Sequence, residues 1–94
     1  MYKYIVLFKL HDPADAPAVA EKLHTMEGKI DGLLSMETGI NTWQRPDRCY
    51  DLALTILFRD RESIDRYDVD PLHQECRAFI YPRRADGKTV VYEV

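Results

Sequence analysis

An α+β fold is predicted, with one antiparallel sheet and helices packed on one of its faces. Three observations predict it. Apolar patterning gives the order strand, helix, strand, strand, helix pair, strand; each helical stretch separates two strands as a crossover; and the first and third strands are apolar on both faces. That order is a split βαβ unit used twice, the ferredoxin-like βαββαβ arrangement. One layer of helices hides only one face of the sheet. Two such sheets stacked face to face would cover the other, as a homodimer built as an α+β barrel.

Residues 3–10 form the first strand, an unbroken apolar run in which Tyr4, Val6 and Phe8 point one way and Ile5 and Leu7 the other. His11 to Pro13 is a polar turn, after which Asp15 caps a helix with Pro17 in its first turn. Ala16, Val19, Leu23, Met26 and Ile30 follow three- and four-residue spacing along that helix, which Gly28 or Gly32 ends. In residues 33–41 Leu34, Met36, Thr38 and Ile40 alternate with polar positions, a strand with one drier face, and Gly39 marks a bulge. Residues 42–49 are a polar connection carrying Trp43, Arg45, Pro46 and Arg48, with Trp43 as its packing anchor. Residues 50–58 are the third strand, with Leu52, Leu54, Ile56 and Phe58 toward the helices and Ala53 and Leu57 away from them. A connection over 83–88 with an Asp86-Gly87 turn leads to a last strand over 89–94.

The segment over 60–82 is where chemistry concentrates. Asp60 suits an N-cap, and Pro71 ends one short helix and starts another with Asp70 as its cap. Leu72, Cys76, Phe79 and Ile80 give the second helix an apolar stripe with His73 at its edge. The bend brings a phenol, Tyr67, and an imidazole, His73, to one corner. A neutral histidine can remove a proton α to a carbonyl while a tyrosine hydroxyl donates to the enolate oxygen, chemistry that needs no metal or cofactor. In the bland alternative both polar groups simply satisfy neighbours in the interior.

Composition narrows the remaining classes. A chain of 94 residues makes one domain, residues 1–94, with a modest core. Thirteen basic against sixteen acidic residues give a formal charge of −3, and no basic run marks a nucleic-acid partner. The apolar runs are too short to span a membrane and no signal-peptide pattern opens the sequence, so a cytoplasmic location is expected. Cys49 and Cys76 show no disulfide or redox spacing. His11, His24 and His73 fall on separate elements, so no metal site is expected, and no phosphate loop, nucleophile elbow or Walker motif occurs. Arg45, Arg48, Arg83 and Arg84 are loop cations, solvated or available to an anionic ligand.

These residues resemble the stress-responsive dimeric α/β-barrel family, called Dabb. The resemblance is carried by the opening strand over 4–10, the Ile30-Asp31-Gly32-Leu33-Leu34-Ser35 junction, Gly39, Tyr50-Asp51-Leu52-Ala53-Leu54, and Glu62-Ser63-Ile64-Asp65-Arg66-Tyr67 leading into Asp70-Pro71-Leu72-His73. The family's usual His-Pro-x-His element has Asp70 in place of its first histidine. The resemblance implies a homodimer. In the plant cyclase branch that forms olivetolic acid without a cofactor, the matching tyrosine and last histidine are the catalytic pair, so it implies those roles for Tyr67 and His73. Two further pocket histidines of that branch align with Tyr4 and Leu52.

Three functional readings follow. The first is a homodimer binding a small, partly apolar molecule in a pocket lined by Tyr4, Val6, Phe8, Leu23, Leu52 and Cys76, with Ile5, Leu7, Ala53 and Leu57 at the dimer interface. The second is a cofactor-free cyclase, lyase or isomerase, or a dimeric-barrel monooxygenase, using Tyr67 and His73. The third is a purely structural stress protein without a pocket.

Overall fold

A computed structural model describes residues 1–43 and 47–94, so the loop positions Arg45 and Pro46 lie outside the described residues. Four strands, β1 (Tyr2–Leu10), β2 (Leu33–Ile40), β3 (Leu52–Phe58) and β4 (Arg84–Glu93), form one sheet in the order β2-β3-β1-β4. All neighbours are antiparallel. Helices α1 (Ala16–His24), α2 (Arg61–Val69) and α3 (Pro71–Ile80) cover one face, completing the ferredoxin-like α+β fold. The most apolar strands, β1 and β3, sit at the centre, where both edges need partners.

Pairing fixes which side chains share a face. Tyr4 lies opposite Ile56, Val6 opposite Leu54 and Phe8 opposite Leu52, all toward the helices, where they join Val19, Leu23, Met26 and Cys76 in one core. The opposite face carries Ile5, Leu7, Ala53 and Leu57, as expected from alternation, and β4 adds Val90 opposite Ile5 and Tyr92 opposite Lys3. Leu7, Val90 and Tyr92 are more than two-fifths exposed in the single chain.

Several local expectations give way to backbone chemistry. The second strand's bulge lies between Leu33 and Ser35 instead of at Gly39, and the extra residue turns Leu34 out to solvent while Leu33 and Met36 both face the core. The first helix stops at His24 instead of running to Gly28 or Gly32. Its last turn is closed by the Thr25 hydroxyl, which donates to the Lys22 carbonyl, and three-residue turns then carry the buried Met26 and Ile30 inward. Asp15 makes no side-chain cap bond; Asp12, capping a short 3-10 turn (Pro13–Asp15), accepts from Ala14 N–H at 3.0 Å. β4 begins at Arg84, so Asp86 and Gly87 pair with Lys9 and Phe8 inside the sheet and make no turn. Trp43 stays largely exposed, its backbone held by Asn41 and its ring 5.8 Å from the Arg48 guanidinium.

Gly32 precedes β2 at φ 85°, and a β-carbon there would lie 2.0 Å from the Ser63 hydroxyl oxygen. The contact joins the start of β2 to α2. Ser63 is fully buried, donates its amide proton to the Asp60 carboxylate at 2.8 Å, and accepts from Arg66. Bonds from the Ser63 hydroxyl and amide hold the Asp60 carboxyl down at about 2. Asp60 thus caps α2, and Asp70 caps α3 by accepting from Leu72 N–H at 2.8 Å. Asp70→Ala is expected to lose about 1 kcal/mol in chemical denaturation, the usual worth of an N-cap, whereas Pro71→Ala changes stability little.

Candidate ligand site beneath the third helix

The Pro71 break between α2 and α3 sets the site. Because Asp70 adopts an extended conformation (φ −65°, ψ 133°), α3 folds back beside α2 and brings His73 over Tyr67. The two rings stack with centroids 4.0 Å apart and planes inclined by 24°. Tyr67 also meets Tyr4 (5.5 Å) and Phe58 (5.1 Å) edge-on, so strands and helix pair hold the phenol from three sides. Tyr67 is 2 % and His73 8 % exposed.

Hydrogen bonding distinguishes the two nitrogens of the imidazole. Nδ1 of His73 lies 3.3 Å from the Asp68 carbonyl oxygen, which only accepts, so Nδ1 carries the proton in the neutral ring and the lone pair is on Nε2. The backbone carbonyl of Asp68 therefore orients the ring, and the Asp70 carboxylate is occupied as a helix cap. Burial pulls the His73 pKa below its ordinary value, and nearby Arg77 pushes the same way. Burial drives the Tyr67 phenol far above its ordinary range, with the nearby Tyr4 phenol adding to the shift, and raises Tyr4 as well. Near neutral pH the pair is an unprotonated imidazole beside a protonated phenol. Among the described residues the Tyr67 hydroxyl has no hydrogen-bond partner, yet no buried side-chain nitrogen or oxygen lacks one; the hydroxyl oxygen is therefore accessible.

A cavity of about 230 Å³ adjoins both rings. Its floor is Tyr4, Val6 and Phe8 of β1 with Leu54 of β3; Leu23 comes from α1, and Tyr67, His73, Cys76 and Ile80 from α2 and α3. Its polar margin is Asp68, Arg77, Tyr81, Arg84 and Thr89. Leu52 is buried but lies outside this lining. The cavity follows β1 toward β4, where Thr89 pairs with Val6, so β3 contributes Leu54 opposite Val6 and not Leu52. Cys76 donates to the Lys22 carbonyl at 3.3 Å, and burial raises its thiol pKa, which keeps the sulfur a weak nucleophile.

The loop arginines separate by role. Arg83 donates to the Phe79 carbonyl at 2.6 Å and lies 3.9 Å from that ring's centroid, a structural fastening of the α3 terminus. Arg84 instead lines the cavity, as does Arg77, which sequence reading passed over. The signal was there. Arg77 stands four residues after His73, one helical turn along the same face.

A family model described as the Stress Responsive A/B Barrel Domain matches residues 3–94. The chain belongs to the Dabb family. A search of curated proteins finds no match. Among solved structures, this Dabb chain is similar to a dimeric ferredoxin-like protein of unknown function from Thermobifida fusca, at 23% identity and TM-score 0.86 over 99% of this chain and 90% of that one. It is also similar to a protein from Arabidopsis thaliana, at 14% identity and TM-score 0.84 over 100% and 95%. SnoaB, a cofactor-independent oxygenase from Streptomyces nogalater, matches at 10% identity and TM-score 0.79 over 99% and 91%. The Dabb fold is thus shared with an oxygenase. No helix among the described residues of this Dabb chain is long and apolar enough to cross a membrane.

Proposed function

We propose that this Dabb protein is a homodimer that binds a small, partly apolar molecule in the cavity between β1 and α3. The observation that carries the reading is the cavity itself, with an apolar floor of Val6, Phe8 and Leu54 and polar groups around it from Tyr67, Asp68, His73, Arg77 and Arg84, a concave site with convergent polar groups of the kind that holds small molecules. Its volume, about 230 Å³, exceeds the roughly 150 Å³ of an engineered apolar cavity that takes up benzene. The row of exposed Leu7, Val90 and Tyr92 with half-buried Ile5 on the other sheet face supports self-association, and the similar Thermobifida protein is described as dimeric.

A catalytic form of the same reading is supported by the Tyr67–His73 geometry. With Nδ1 committed to the Asp68 carbonyl, Nε2 is available to take a proton from a carbon α to a carbonyl, and the protonated Tyr67 hydroxyl donates to the enolate oxygen. Elimination, cyclisation or isomerisation would proceed from that enolate. This chemistry asks for no cofactor, and the similar SnoaB is described as cofactor-independent.

A thermal-shift screen of small aromatic and aliphatic molecules on wild type tests the binding reading. A ligand at a hundred times its Kd is expected to add about 2.7 kcal/mol to native-state stability. In a chain of this size that is on the order of 10 °C. Substitution of Leu23 by Trp, which fills the cavity from α1, should remove the shift; a shift that survives this change, or no shift with any compound, would count against the site.

A further inference from the structure

We infer that the occupant of this cavity is an apolar molecule ending in a single carboxylate, held at the cavity margin by Arg77 and Arg84. The inference rests on the reading of the cavity as a ligand site and adds the chemical class of the ligand. The chain as a whole carries a formal charge of −3, yet the cavity lining contains two guanidinium groups and one carboxylate, that of Asp68. Local and overall charge have opposite signs.

Among the described residues Arg59, Arg66, Lys9, Lys22 and Lys88 have a carboxylate within 4.0 Å, whereas Arg77 and Arg84, like Lys3, Lys29, Arg48, Arg61 and Arg83, have none. Neither cavity arginine is thus ion-paired directly within the chain. Arg84 is partly buried and held over the Tyr81 ring, 5.2 Å from its centroid. A β-carbon on Gly87 would come within 2.7 Å of its Nη1, so the glycine leaves room for the guanidinium. Stacking of this kind fixes a planar guanidinium in advance of binding, and its paired N–H groups match a carboxylate. Arg77 lies close enough to lower the pKa values of Tyr4, Tyr67 and His73. Two cations offset by Asp68 leave one positive charge, which one monoanion neutralises. The hydrocarbon part would then rest on Val6, Phe8 and Leu54, beside the phenol and imidazole.

Calorimetric titration can test this with benzoate, 3-phenylpropanoate and octanoate, their primary amides, and phenyl phosphate. At least one carboxylate is expected to bind tenfold or more tightly than its amide and more tightly than phenyl phosphate, with an affinity that falls as salt rises. Arg77→Gln and Arg84→Gln should each weaken the acid at least tenfold and the amide less than twofold, with unchanged melting behaviour. Acid and amide binding alike, or acid binding that ignores both substitutions, would overturn the carboxylate assignment while leaving the cavity a ligand site. Tighter phenyl phosphate would reassign the anion and overturn it as well. Failure of every acid and amide would remove the ligand reading and this inference together.

Discussion

Leu7→Lys is expected to convert the dimer into monomer, or to leave a chain that no longer folds stably. Leu7 sits in the row Ile5, Leu7, Ala53, Leu57 and Val90, on the sheet face that no helix covers. Its register neighbours are Ala53 and Lys88, and Lys88 is already paired with Asp86, so a lysine there meets a like charge whose acid is engaged. Glutamate would be a weaker probe, since Lys88 stands beside it. Desolvating an unpaired charge in a sheet-to-sheet interface costs several kcal/mol, and about 3 kcal/mol already raises the dimer dissociation constant more than a hundredfold. Light scattering at micromolar concentration reads the result. A monomeric wild type, or a soluble dimeric variant, would contradict the proposed assembly.

His73→Ala has the largest expected effect on chemistry. If Nε2 is the base, turnover falls about 10²–10⁴-fold while fold and dimer persist. The pH profile carries an independent signature. His73 has a folded pKa below its ordinary value near 6.5, so the neutral, competent ring predominates above that value. Activity should therefore reach a plateau at neutral and alkaline pH, and its acid limb should lie below about pH 6.5. The same shift makes the unfolded chain bind a proton more readily than the native one. This contribution to stability is present above the unfolded value and is lost as pH falls through it toward the folded one. A merely structural histidine gives a different pattern. His73→Ala would then lower stability by roughly 1–3 kcal/mol, leaving ligand affinity unchanged.

The order of elements, the central strands and both faces of β1 and β3 are legible in the sequence because both strands are long apolar runs whose pairing with each other keeps one register throughout. β2 was misread at Leu34, since one extra residue between Leu33 and Ser35 reverses every inward position before it, and no residue type announces that bulge. The length of α1 was misread because Met26 and Ile30 keep helical spacing while tight turns bury them without a helix. β4 was shortened because Asp86-Gly87 has turn chemistry, which pairing with β1 overrides. At the site, the Pro71 bend and its caps announced the meeting of Tyr67 and His73. The margin was harder. Arg84 reads as a loop cation, Arg77 carries no signal beyond its spacing from His73, and Leu52 in place of Leu54 follows because alternation gives a face but not the position of a cavity along it.

Methyl-resolved NMR of the wild-type protein, titrated with the tightest compound from the thermal-shift screen, tests the central claim most directly. The largest shift changes are expected on Val6, Leu23, Leu54 and Ile80, the branched aliphatic residues around the cavity, with Ile5, Leu7 and Val90 nearly unmoved. Changes centred on Ile5, Leu7 and Val90, or spread evenly over the surface, would place the ligand elsewhere and contradict it.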